Sequence, residues 1–306
     1  MKSIRLTRRK ALLGMAGLAT GIWASSVQSA EAKTWTPRYA LASCLFGKSS
    51  LEDILAVTKT TGAEYIDLWP LPHGDQRNQI EEMGNDRFAT LLEQYGVKLG
   101  LTTRYDLGPF RLKEEIKFVA EFKGKMIVTG SGGPKGLKGE ELKKEIERLY
   151  ENLKPHIALF EKHGLVLAVE NHLNTLLDSP DAVRYFADCI DSDSVGVAFA
   201  PYHLPQIESQ LAELIRHCGP KTVLFYAWQH GKGSGQLPKE EELQQLPGRG
   251  TLDFTPLLRA LMELKFEGLT EIFMHPFPRG ISILETVESS VKEIVRAKNY
   301  LADLVI

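Results

Sequence analysis

From Pro37 onward the chain alternates between short apolar runs and longer stretches in which apolar residues recur every three or four positions. The short runs read as strands and the longer ones as amphipathic helices. The pattern predicts strands at Tyr39–Ser43, Tyr65–Trp69, Lys98–Thr102, Met126–Thr129, the run from Leu165, Val195–Phe199, Thr222–Tyr226 and Leu269–Phe273. The helices predicted are Leu51–Thr60, Arg87–Tyr95, Leu112–Phe122, Gly139–His163, Pro180–Cys189, Ile207–Cys218, Thr255–Leu264 and Leu284–Leu301. Gly62 and Gly96 are natural stops, Ser179 is a natural N-cap ahead of Pro180, and Pro155 predicts a kink or break.

Eight strand–helix pairs follow one another without a break in composition, which implies a parallel sheet. Eight such units close into a (β/α)₈ TIM barrel, an α/β fold of a single domain. An open doubly wound sheet needs a glycine fingerprint after the first strand, and Ser43-Cys-Leu-Phe-Gly47 is not one. Side-chain parity favours the barrel. Gly196, Ala198 and Ala200 share one face of their strand, Val195, Val197 and Phe199 the other, and Ala168 shares a face with Glu170. Small residues inside and large ones toward the helix ring suit a tight barrel.

Ahead of this repeat, residues 1–32 have the layout of a cleavable leader, leaving 33–306 as the barrel domain. A basic start is followed by an apolar run, Ala11 to Ala24, and then by small and polar residues. Thr7-Arg8-Arg9-Lys10-Ala11-Leu12-Leu13 resembles a twin-arginine export signal, which predicts a periplasmic or otherwise exported protein and the twin-arginine machinery as a partner. The apolar run is shorter than the roughly 20 residues of a membrane span, so no stable anchor is expected after cleavage. Loss of residues 1–30 removes five bases and no acid, leaving 37 − 5 = 32 basic residues against 39 acidic ones. An acidic chain without a basic stripe argues against nucleic acid as a partner. Cys44, Cys189 and Cys218 are too widely spaced for a zinc pattern or a disulfide framework.

The candidate chemistry lies at the carboxyl ends of the strands, which share one mouth in a barrel. Leu165-Val-Leu-Ala-Val-Glu-Asn-His172 runs from a buried strand straight into a carboxylate, an amide and an imidazole. The other ends supply Trp69 and His73, Arg104 and Asp106, Gly130-Ser-Gly-Gly133, His203, then Trp228, Gln229 and His230, and finally Glu271, His275 and Arg279. Five of the eight histidines fall at or just past these ends. Mixed Glu and His donors suit Mn, Zn, Co or Fe, with Mg also possible. Trp69, His73, Arg104, Trp228 and His275 are the candidate substrate-binding residues, with Phe46 as a further apolar cover. The glycine loop at 130–133 reads as a turn before it reads as an anion cradle. Gln229 to Asp253 is long enough to be a lid, with Gly231, Gly233 and Gly235 as hinges.

Val169-Glu-Asn-His172, Gly196-Val-Ala-Phe-Ala-Pro-Tyr-His-Leu204, Leu246-Pro-Gly-Arg-Gly-Thr-Leu-Asp-Phe254 and Thr270-Glu271 resemble the xylose isomerase-like TIM barrels. The resemblance spans residues 38–303. It implies one divalent metal held by a Glu, an Asp, a His and a Glu after strands 5 to 8, with Glu170 and Glu271 as ligands. The Asp position is Ala200, so His203 or Gln229 is left to replace it, and the strand 7 ligand is Gln229 or His230. The activity implied is a sugar or keto-sugar isomerase or epimerase, with a small-molecule carbohydrate as substrate. Proton abstraction beside a carbonyl through an enediolate would fall to Glu170 and Glu271, with His172 or His203 moving hydroxyl protons. A lyase or hydrolase of oxidised glycosides uses the same chemistry. An exported sugar-binding protein that has lost its metal at Ala200 is the reading from outside enzymes.

Overall fold

A computed structural model describes residues 35–305. The leader predicted over residues 1–32 lies outside them. Eight parallel strands form the core: β1 Arg38–Ala42, β2 Tyr65–Leu68, β3 Lys98–Thr103, β4 Met126–Gly130, β5 Val166–Glu170, β6 Val195–Phe199, β7 Thr222–Ala227 and β8 Leu269–Ile272. They pair in sequence order, and β8 returns to β1, closing the barrel. A closed sheet has no edge, so every strand finds a backbone partner on both sides.

The outer ring holds α1 Leu51–Thr58, α2 Gln76–Met83, α3 Asn85–Tyr95, α4 Lys113–Glu121, α5 Gly139–His163, α6 Pro180–Cys189, α7 Glu208–Cys218, the short α8 Lys239–Glu242, α9 Thr255–Glu263 and α10 Val287–Asp303. Ser179 caps α6, its Oγ accepting the Ala182 N–H at 3.3 Å. Four details depart from the sequence pattern, the first being the short α8 inside the long loop after β7. Helix α2 is additional; Gln76–Met83 buries only Gln76 and Ile80, too little apolar surface to show a period. Helix α5 runs unbroken through Pro155, whose ring faces solvent, where water can satisfy the carbonyl that it deprives of a donor. Helix α10 starts at Val287 rather than at Leu284, because Thr286 and Ser289 form a capping box there.

The strand register decides what fills the barrel. Ala42 pairs with Asp67, Glu170 with Ala198, and Glu271 with Ala40 on one side and Tyr226 on the other. Paired positions in a parallel ladder face the same way, so three carboxylates and a phenol enter the interior beside alanines that leave them room. No helix among the described residues is long and apolar enough to cross a membrane.

Candidate metal and acid site

Two strands bring Asp67 and Glu271 to the barrel centre. Both are fully buried. The Thr103 hydroxyl donates to Asp67 Oδ2 at 2.8 Å. Asp67 Oδ1, both oxygens of Glu271 and the Tyr226 hydroxyl have no aligned partner among the described residues. Burial raises the Asp67 carboxyl to about 8, against hydrogen bonds that favour its ionised form. Glu271 is raised well above the ordinary carboxylate range, first by burial and then by the charges of Asp67 and Glu170. Burial and their mutual repulsion favour the protonated form of both acids, so the two do not ionise together.

Glu170 closes the carboxyl end of β5. It is 3% exposed, and burial lifts its carboxyl to about 8. The Tyr105 hydroxyl donates to Glu170 Oε2. His203 Nε2 lies 3.4 Å from Glu170 Oε1. That contact lacks hydrogen-bond alignment, and both ring nitrogens of His203 remain buried without a partner. His172 packs against His203 with ring centroids 3.9 Å apart and the ring planes tilted by 41°. One ligand atom each from Glu170, His172 and His203 falls within 4.8 Å of the others. A carboxylate oxygen and two imidazole nitrogens form a donor set that fits a divalent transition metal, and the unpartnered His203 nitrogens are what such an ion would satisfy. Burial lowers His203 to about 3 and also lowers His172, so both rings are neutral, as ligation requires.

An aromatic layer covers the carboxylates. Trp69 stacks on Phe273 at 5.3 Å, Tyr202 on Trp228 at 3.8 Å, and Trp228 meets Phe273 edge-on at 5.0 Å. His73 and His275 stand beside Trp69, 4.8 Å from each other. Phe46 is buried as well. The less buried side chains at this end, His73, Tyr105 and His172, mark the opening.

Several predicted site residues prove to have other duties. Gln229 is not in the metal cluster: its amide donates to the Leu246 carbonyl at 2.8 Å, and its oxygen accepts the Leu252 N–H at 2.9 Å. His230 is exposed, its ring 5.2 Å from that of Tyr202, and it is not one of the three residues whose ligand atoms converge. Arg104 is ion-paired with Glu115 and Asp106. Glu271 lies with Asp67 rather than in the cluster formed by Glu170. The stretch 229–253 is fastened down by Gln229 and by Gln245, whose side chain bridges Trp228 Nε1 at 3.1 Å and the His275 carbonyl at 3.0 Å. The loop after β4 is tied to the segment after β5: Gly132 O accepts the Leu176 N–H at 2.8 Å and Ser131 Oγ accepts the Leu177 N–H at 3.3 Å. Asn171 holds the peptide at Ala200 from both sides, accepting its N–H at 2.8 Å and donating to its carbonyl at 2.9 Å.

The sequence reading missed Asp67, Tyr105 and Tyr226. Asp67 left a signal, a single acid inside the apolar run Tyr65-Ile-Asp-Leu-Trp69 at the same parity as Trp69.

Residues 55–292 match the xylose isomerase-like TIM barrel family. No curated protein matches the sequence. Similar solved structures include the IOLI protein with a binding zinc atom, at 15% identity and a TM-score of 0.65 over 88% of this chain and 98% of that one. D-Psicose 3-epimerase from Clostridium cellulolyticum, with D-tagatose, aligns at 13% identity and a TM-score of 0.66 over 88% and 99%. The probable 3-DHS dehydratase AsbF of Bacillus anthracis aligns at 13% and 0.64 over 87% and 98%.

Proposed function

The chain belongs to the xylose isomerase-like TIM barrel family, and from that premise we propose that it is a divalent-metal-dependent isomerase or epimerase of sugars or keto-sugars. The carrying observation is the convergence of Glu170, His172 and His203 within 4.8 Å, beside the buried acids Asp67 and Glu271. The zinc of the IOLI protein and the epimerase activities named for similar structures support the reading.

Glu170, His172 and His203 would hold the metal. When bound, it would supply a Lewis acid that polarises a substrate carbonyl and acidifies the adjacent C–H. The chain's own residues account for the rest. Glu271, in its ionised form, would take the proton at Oε1 or Oε2 and return it, while Asp67, whose protonated form burial favours, keeps a second charge out of the core. Return to the opposite face of the same carbon is epimerisation, and return to the neighbouring carbon is aldose–ketose isomerisation. Tyr105, hydrogen-bonded to Glu170, orients that carboxylate. Trp69, Trp228 and Phe273 exclude water from the acids and offer flat apolar surfaces to a sugar ring. Substrate would enter between His73, Tyr105 and His172. The protein would work after export, as the leader-like residues 1–32 suggest.

The test is deuterium exchange. Protein loaded with Mn or Zn is incubated in heavy water with a panel of keto-sugars and keto-sugar acids, and exchange next to the carbonyl is followed by NMR. Exchange that is lost in Glu271→Gln and in His203→Ala supports the proposal. An absence of exchange across the panel, with metal bound, overturns it.

A further inference from the structure

Arg279 lies on the loop after β8, at the edge of the mouth. That loop is wedged against its neighbours. A Cβ at Gly280 would sit 2.9 Å from the Pro72 carbonyl, and one at Gly47 would sit 2.5 Å from the Ile281 backbone. The guanidinium is thereby kept near His73, the residue following Pro72. Its only hydrogen bond among the described residues is a long one, Nη1 to the Pro276 carbonyl at 3.3 Å. No carboxylate among them lies within ion-pair distance of it. The other guanidinium groups near this end are committed: Arg104 to Glu115 and Asp106, and Arg77 to Glu115 and Glu81.

The one acid whose charge reaches Arg279, Glu242, is already ion-paired with Lys239. Burial, with the Arg279 charge next in size, depresses His73 to about 4 and takes His275 well below the ordinary histidine range. Both rings are therefore neutral and each has one N–H to donate. The acids beneath hold their protons because they are buried. Part of the guanidinium has been taken out of water, which lowers its own basicity. Arg279 stays exposed at the edge of the mouth, its charge unpaired and open to an anionic ligand that brings the counter-charge. Five N–H groups in a rigid fork match a planar carboxylate.

Deepening the function proposed above and resting on it, we propose that the substrate is a sugar acid whose carboxylate is received by the Arg279 guanidinium, with His73 and His275 alongside. The exposed Lys48 passes close to Gly280, so a phosphate ester is the competing anion to exclude.

Isothermal titration of the full chain at low salt would compare D-glucuronate and D-galacturonate with D-glucose, D-galactose and D-glucose 6-phosphate. At least one uronate should bind ten times or more tighter than its neutral hexose. In Arg279→Gln that preference should fall to twofold or less, and Arg279→Lys, which keeps the charge but loses the fork, should be intermediate. Thermal melting confirms that both variants fold. No preference for uronates, a preference that survives Arg279→Gln, or an Arg279-dependent preference for the phosphate ester each overturns the proposal. The deuterium assay separates it from the reading on which it rests. Exchange into neutral keto-sugars, with uronates ignored, removes the sugar-acid proposal alone. Arg279-dependent uronate binding without any exchange removes the isomerase reading alone.

Discussion

Replacing Glu170 by Gln should flatten the pH dependence of stability in the metal-free protein. In the native state burial lifts Glu170 from 4.5 to about 8. At about 1.4 kcal/mol for each pH unit, this places the cost of ionising it inside the barrel at roughly 5 kcal/mol. Between those values the native protein holds a proton that the unfolded chain has released, so stability falls as pH rises. This contribution is fully present below pH 4.5 and is lost once the pH passes about 8. His73 and His203, lowered to about 4 and 3, act with the opposite sign, but their effect ends near 6.5, where the unfolded histidines lose their protons. The clean window is therefore above pH 6.5. Urea unfolding in EDTA at pH 6.5, 7.2 and 8.0 should show the wild type losing about 2 kcal/mol more than Glu170→Gln across that range. The Glu170 charge is the smallest of the causes that raise Asp67, and its removal lowers Asp67 and so flattens the variant's profile further, in the expected direction. The amide keeps the volume of Glu170 and an oxygen for the Tyr105 hydroxyl, so packing changes little. Parallel slopes for the two proteins would mean that Glu170 is already ionised without metal, and the account of a dry carboxyl at the end of β5 would be wrong.

Gln229→Ala should destabilise the fold by about 2–4 kcal/mol in urea unfolding, because the Leu246 carbonyl and the Leu252 N–H are left buried without partners. Its Mn or Zn affinity by titration calorimetry should stay within twofold of wild type, since Gln229 is not a ligand. Ala200→Asp should tighten metal binding about tenfold or more in the same assay by adding a carboxylate next to His203. Unchanged affinity would show that position 200 does not face the cluster. Arg8→Lys combined with Arg9→Lys should hold precursor in the cytoplasm, and normal export of that variant on fractionation would refute the twin-arginine signal.

The barrel was legible because its strands are buried on both faces and read as unbroken apolar runs, while its helices carry a regular apolar stripe. Val195–Phe199, Gly139–His163 and Pro180–Cys189 have the bounds read from the sequence. Helix α2 was invisible because it packs through few apolar residues against loops. Within the site, Glu170, His172 and His203 stood out because their polarity interrupts or ends an apolar run. Asp67 and Tyr226 did not, because a lone polar residue inside a strand looks like an outward-facing one until the register shows that it is paired with Ala42 or Glu271. Gln229 and His230 could not be separated by parity, since β7 ends at Ala227, before both, and they open the folded-back loop 229–253. Which polar group is free to bind depends on what that loop takes up, and this is a tertiary matter that strand periodicity does not encode.

The two hydrogen bonds from Asn171 to Ala200 bear on how this barrel can change over generations. The peptide at position 200 is fixed by an amide on the neighbouring strand, so the side chain there has no part in holding its own backbone. A carboxylate could be lost or regained at that point by single substitutions while the strand end stayed in place. The neighbouring imidazoles would keep a partial donor set during the exchange. Selection on the donor set is thereby uncoupled from selection on folding. Position 200 tolerates trial in a way that position 171, where any replacement releases two buried backbone groups, does not.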